Sequence, residues 1–335
     1  VGNKGSLNGT GTEANFDNPY FITSDGSNLY VADHNNHTIR KIVISSGVVT
    51  TLAGTSGVSG SNDGIGSAAK FNKPTGITTD GTNLYVSEWN NHTIRKINIS
   101  SGLVTTFAGT VGVSGTSNGT GTEAKFKNPL GLTTDGMNLF VADYGNHMIR
   151  KVVISSGVVT TLAGTAGVSG SIDGTGTEAK FKQPIDLVSV DHNLYVSTTN
   201  HTIRKIVSSN GVVTTLAGTP GSYGYLDGKG TEAKFRSPYG ITTDGTNLYV
   251  AGYSNHIIRK VVISSGVVST LTGSVSNKGS ADGEGNLARF KNPLGLIMEG
   301  SNLFLTDRNN HTIRKINLVG DTVNFRVDFA DAAGN

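Results

Sequence analysis

F-N-K-P-T-G-I-T-T-D-G-T-N-L-Y-V-S-E-W-N-N-H-T-I-R-K-I-N-I-S-S-G-L-V-T-T-F-A, residues 71 to 108, reads as four short strands joined by tight turns. Thr75 to Thr79 is the first, and Asp80-Gly81 is a hairpin signal. Leu84 to Ser87 is the second, and Glu88 to Asn91 makes the next turn. His92 to Ile99 alternates His/Ile/Lys with Thr/Arg/Ile as a third strand, Ser100-Ser101-Gly102 turns, and Leu103 to Ala108 is the fourth. A Gly-rich stretch then runs to Lys125. Four consecutive antiparallel strands are the unit of a propeller blade when the unit repeats.

It does repeat. Asn-His recurs at His37, His92, His147, His201, His256 and His311, at intervals of 55, 55, 54, 55 and 55 residues, each time within N-H-x-I-R-K. Six of the seven prolines (Pro19, Pro74, Pro129, Pro184, Pro238, Pro293) keep the same interval. One supersecondary unit copied six times cannot bury both its faces alone and must stack on its copies. A linear β-solenoid is the rival, but its repeats are usually shorter. The expected fold is all-β: a six-bladed propeller of four antiparallel strands per blade, closed without an exchanged strand. The 335 residues form one domain, with a linker at 1–15, blades at 16–70, 71–125, 126–180, 181–234, 235–289 and 290–330, and a tail at 331–335. The last blade ends with Thr322 to Asp328 as its fourth strand. Phe16, Phe71, Phe126, Phe181, Phe235 and Phe290 open the copies and read as plugs between blades.

Composition excludes several classes. There is no cysteine, so disulfides and thiolate metal sites are ruled out. A formal charge of +3 is too small to argue by itself for a polyanionic partner. No run approaches the apolar length of a membrane-spanning helix. The chain starts inside the repeat pattern, which leaves room for a leader removed in processing. Asn-x-Thr at Asn36, Asn91, Asn200 and Asn310 belongs to the repeat itself, which argues against heavy glycosylation and favours a bacterial source.

With P-x-G-I-x-x-D-G-x-N-L-Y-V-A-D-x-x-N-H-x-I-R-K and G-V-V-T-T-L-A-G in hand, the chain resembles the NHL-repeat family across all six copies. Its long Gly-rich linkers resemble the bacterial branch. The resemblance implies a six-bladed propeller used mainly as a binding scaffold, in a secreted or cell-surface protein. Some relatives bind proteins or RNA, and a few related propellers are lyases or hydrolases, so fold alone does not settle function. The ending V-N-F-R-V-D-F-A-D-A-A-G-N resembles a strand of bacterial immunoglobulin-like modules, which reads as one module of a longer chain.

Residues repeated in every copy read as frame. Six equivalent histidines on different blades cannot converge on one ion, so no metal and no cofactor is expected. The arginines from Arg40 to Arg314 are expected to pair with carboxylates of the Asp33, Glu88, Asp143 and Asp307 series. D-G in the linkers (Asp63, Asp173, Asp227, Asp282) reads as a Gly-enabled turn, being too thin in oxygens for calcium.

Residues that vary within the fixed frame are the candidates. After the second strand the copies carry His34, Trp89, Tyr144, Thr198, Tyr253 and Arg308. The loops joining strands two and three share one face with the linkers, and Tyr20, Tyr239, Leu130 and Leu294 enter near the same rim. Aromatic faces with a few hydrogen-bonding groups suit sugars, peptides or bases. Copy four departs most, with Asp186 in place of Gly, Val190-Asp191-His192 in place of D-G-x, and one residue missing before Asn200. Phe21 is the other departure from Gly at the Asp186 position. The expected binding residues are His34, Trp89, Tyr144, Asp186, Tyr239, Tyr253 and Arg308, in a non-enzymatic monomer or module that binds a glycan, peptide or protein. The alternatives are an enzyme using Asp186, His192 or His34 in an axial funnel, and RNA binding through Lys125, Lys127, Lys180, Lys182, Lys234 and Arg236. Against RNA, Glu123, Glu178 and Glu232 stand two residues before three of these cations and reduce the field.

Overall fold

The second strand of each blade is buried along its length: Leu84, Tyr85, Val86, Ser87 and Glu88 all have no exposed surface. A strand alternates its side chains between two faces, so full burial means that both faces are covered. The neighbouring blades cover them. The outer strand Leu103–Ala108 instead alternates exposed and buried residues along its first half, as expected of a strand with solvent on one side.

The computed structural model describes residues 2–318 and shows six antiparallel sheets arranged as a propeller. In the second blade the order from the axis outward is Pro74–Thr79, Asn83–Glu88, Thr93–Asn98 and Leu103–Ala108. The linker adds what the sequence did not show, a two-residue fifth strand at the outer edge. Gly64–Ile65 pairs antiparallel with Leu103 and Val104 of the blade it leads into, and Gly9–Thr10, Gly119–Thr120, Gly174–Thr175 and Gly228–Lys229 repeat the arrangement. The last blade has three described strands, Pro293–Glu299, Asn302–Asp307 and Thr312–Asn317. The expected strand Thr322 to Asp328 and the tail 331–335 lie outside the described residues.

The four main strands of a blade pair with one another and the two-residue linker strand pairs with the blade that follows it, so among the described residues blades one and six meet by packing and side-chain bonds. Thr306 Oγ1 donates to the Tyr20 carbonyl at 2.6 Å, and Ser24 Oγ donates to the Glu299 carboxylate at 2.7 Å.

The inner strand carries a register shift between Pro74 and Ile77. It brings Gly76 against the third blade, where an added Cβ would stand 2.1 Å from the Leu130 carbonyl oxygen. Glycine is required there by contact rather than by dihedral angle. On the axis, buried Phe21, Leu130, Ile185 and Leu294 pack in one cluster and plug the channel.

The repeated arginine is the anchor of each blade. Arg95 has no exposed side-chain surface and donates to Glu88 at 3.2 Å, to Asp63 at 2.7 Å, and to the carbonyls of Lys70 and Asn62. Its guanidinium lies 5.2 Å from the centroid of the Phe71 ring. The phenylalanine is buried between blades as expected, and it also supports this cation. The linker acid is therefore a partner of the arginine as well as part of a turn. In blades four and five, Thr198 and Gly252 take the place of the strand-end acid, and Arg204 and Arg259 pair with Asp173 and Asp227 alone among described carboxylates. In blades one and three the linker offers Asn8 and Asn118 instead, and Asp33 and Asp143 supply the charge. Burial pushes Asp33, Asp143 and Asp307 up to about 6, against the pull of their donors, which leaves them mostly ionised at neutral pH.

Candidate functional site: the face of the loops between second and third strands

Each second strand ends in a short turn, a single 3₁₀ turn at His34–Asn36, Tyr144–Asn146 and Arg308–Asn310. The turn stops at the repeated histidine, which takes a left-handed conformation, with φ between 58° and 66° in all six copies. The Asn before it points back to the preceding linker: Asn36 Nδ2 donates to the Gly5 carbonyl and to Asp33. The His points forward. Nδ1 of His37 accepts the Lys73 backbone N–H of the next blade at 3.1 Å, and the same bond recurs at His92, His147, His201, His256 and His311. Burial, helped by neighbouring cations, lowers the pKa of all six. Asn-His is thus a two-way clamp, and it fixes the height and angle of the turn residue ahead of it. Asn128 Nδ2 and Asn292 Nδ2 tighten this further by donating to the carbonyls of Trp89 and Tyr253.

On that frame the variable residues converge. Tyr20 and His34 stack with ring centroids 4.5 Å apart. The Arg308 guanidinium lies 4.9 Å from the centroid of Tyr20 and donates to the Tyr253 hydroxyl at 2.7 Å. Tyr253 lies 4.7 Å from Tyr239. These contacts join blades one, six and five in one arc. Trp89 and Tyr144, 5.2 Å apart, join blades two and three. Tyr20, Trp89, Tyr144, Tyr239 and Tyr253 all rest, partly buried, on the axial plug. Blade four leaves the gap. Thr198 is not its loop residue, because it pairs with Pro184 at the strand end and is buried. The deletion leaves Thr199, which carries no ring.

His34 is neutral at physiological pH. Burial chiefly pushes it down to about 3, with Lys73, Arg308 and His37 adding to the shift and a bond to Pro74 opposing it. Its Nδ1 stands 3.0 Å from the Pro74 carbonyl, which can only accept. Nδ1 therefore carries the proton, and Nε2 is an acceptor. Burial likewise raises Tyr20, Tyr144 and Tyr239. These hydroxyls stay protonated and act as donors and acceptors, not as charges.

Asp186 does not join this group. It lies on the far side of the plug, in an axial cavity of about 60 Å³ lined by Phe21, Ile77, Leu132, Leu187 and Ile241, toward the face that carries the hairpins between first and second strands. Its carboxylate accepts the Ile241 N–H at 3.0 Å, and burial raises it to about 7. His192 is exposed in the blade-four hairpin on that opposite face. The three residues of the axial-enzyme alternative therefore stand at three heights of the propeller and share no reacting centre. Among the described residues no group of three His, Asp or Glu could hold a metal ion. No described helix is long and apolar enough to cross a membrane.

Six antiparallel sheets around an axis with a decorated loop face define a β-propeller, and the comparisons refine this. No protein-family model matches the chain. NHL repeat-containing protein 2 of Gallus gallus is 28% identical over 334 residues, covering 89% of this chain and 46% of that one. The chain spans about half the length of the curated relatives of that name that it matches. A solved structure of a protein of unknown function from Bacteroides thetaiotaomicron superposes with a TM-score of 0.69 at 22% identity, covering 93% of this chain and 72% of that one. An auxiliary nutrient binding protein from the same organism gives 0.68 at 17%, covering 90% and 69%. At such identities the structural likeness shows the fold alone. Three of the curated relatives are NHL repeat-containing proteins, and the six antiparallel sheets are consistent with an NHL-repeat six-bladed propeller.

Proposed function

We propose that the protein is a non-catalytic binding module whose ligand sits on the face of the loops between second and third strands. One observation carries this reading: the positions that vary while the frame stays fixed meet in space. His34, Trp89, Tyr144, Tyr253 and Arg308, with Tyr20 and Tyr239, form arcs of ring contacts over the axial plug. Unselected loop residues have no reason to form such a surface on every blade but one.

A glycan is the ligand class this surface favours. A peptide docks most often by adding a strand to a free edge or by laying a helix in an apolar groove. Among the described residues, the inner edges face the plugged axis and five outer edges are capped by linker strands. An array of partly exposed Tyr, Trp and His rings with hydroxyl and imidazole groups instead offers stacking and hydrogen bonds to sugar rings. A protein described as nutrient binding shares this fold, which fits a binding module without naming its ligand. A secreted or cell-surface setting belongs to it and follows from the resemblance of the long Gly-rich linkers to the bacterial branch.

The test is a glycan array followed by Trp89→Ala and Tyr144→Ala, whose partly buried side chains lie outside the repeated frame. Loss of binding in both, with folding unchanged, supports the site. Hits bound equally by both variants and wild type refute it.

A further inference from the structure

We infer that the loop face is built for an acidic sugar, one carrying a carboxylate on a ring that can stack, with Arg308 as its counter-charge. The inference rests on the loop face being the binding face. The repeated arginines from Arg40 to Arg314 each have at least one carboxylate partner. Arg308, in the middle of the aromatic arc, has no carboxylate within ion-pair distance among the described residues. It lies against the Tyr20 and Tyr253 rings and gives one bond to the Tyr253 hydroxyl. A guanidinium held flat by rings, with donors to spare, suits a planar oxyanion.

The surrounding charge has the same sign. Lys73, Lys127, Lys182, Arg236 and Lys291 all stand between the blade-opening Phe and the strand-entry Pro, beside the histidine clamps. None of them forms an ion pair with a described carboxylate. The acids of this face are already occupied: Asp17 by Lys4, and Asp33, Glu88, Asp143 and Asp307 by buried arginines. Five unpaired cations therefore ring these turns although the chain as a whole carries only +3, and Glu123, Glu178 and Glu232 in the linkers reduce their field. A single central guanidinium with a sparse rim fits isolated carboxylates. A nucleic-acid strand calls for a continuous basic groove along its backbone.

The experiment is calorimetric titration of the whole chain at low and high salt with four probes: a galacturonic acid tetrasaccharide, uncharged cellotetraose, hexaglutamate and a single-stranded uridine oligonucleotide. The uronate is expected to bind about ten-fold or more tightly than cellotetraose, to weaken with salt, and to lose about ten-fold in Arg308→Gln. Arg308→Lys, which keeps the charge but not the planar fork, should fall between. Equal binding of cellotetraose, salt-independent uronate binding, or unchanged binding in a folded Arg308→Gln overturns the inference. If cellotetraose then binds and is lost in Trp89→Ala, the loop-face reading survives without it. Tighter binding of hexaglutamate or of the oligonucleotide overturns it in favour of that class, and silence from all four probes overturns it outright.

Discussion

His311 accepts the backbone N–H of Asn18 on Nδ1 at 3.1 Å, and so ties the last blade to the first across 293 residues. The other five histidines make the same bond between consecutive blades. The donor residue before each strand-entry proline is itself left-handed, with φ between 48° and 59°. Losing the acceptor strands a part-buried N–H on a strained residue. His311→Ala should therefore cost about 1–3 kcal/mol, read as a shift of the denaturation midpoint at unchanged denaturant dependence. A cost near zero would mean that solvent replaces the histidine.

Protonation of His34 is disfavoured in the folded chain, at about 3 against 6.5. A depressed folded pKa contributes stability that is fully present above pH 6.5 and is lost as pH falls toward 3. His34→Gln removes that dependence. Between pH 7 and pH 4, wild type should lose more stability than His34→Gln does, measured by urea unfolding of both at each pH. Parallel curves would show that His34 titrates freely, outside the stack with Tyr20.

Arg95 and Arg204 occupy equivalent positions with different insurance. Arg95 keeps Glu88 when Asp63 is lost, whereas Arg204 has Asp173 as its sole described carboxylate. Asp173→Ala leaves a buried guanidinium uncompensated and should approach a cost of ~3 kcal/mol. Asp63→Ala should cost ~1 kcal/mol, close to one hydrogen bond. Thermal unfolding of the two variants side by side checks the order, and a reversed order would break the account of how blade four does without its strand-end acid.

Much of this was legible in the sequence for one reason: a fixed interval turns each residue into a member of a column. The column of Asn-His, Phe and Arg marked the frame, and the columns that vary marked the loop face, where Trp89 meets Tyr144 and Arg308 meets Tyr253. What stayed hidden depended on contacts between columns of different blades. The clamp from His37 to Lys73 needs a left-handed turn and the register of the next blade. The second partner of Arg95, Asp63, is 32 residues away in a linker whose two-residue strand is too short to leave a pattern. Asp186 lines the axial cavity, but its height relative to Tyr239 depends on a plug made by Phe21, Leu130, Ile185 and Leu294, four residues from four blades. Thr198 keeps its place at the strand end, and the one-residue deletion leaves Thr199 as the loop residue of blade four.

Trp89 is the chain's single tryptophan and stands in the proposed site, 5.2 Å from Tyr144. Its fluorescence is therefore a reporter of the loop face alone. Titration of any ligand found by array should change that emission saturably, with the same affinity that calorimetry gives, and Tyr144→Ala should weaken both together. A ligand that binds by calorimetry while the Trp89 emission stays flat, in wild type and variant alike, would place recognition elsewhere on the propeller and contradict the assignment.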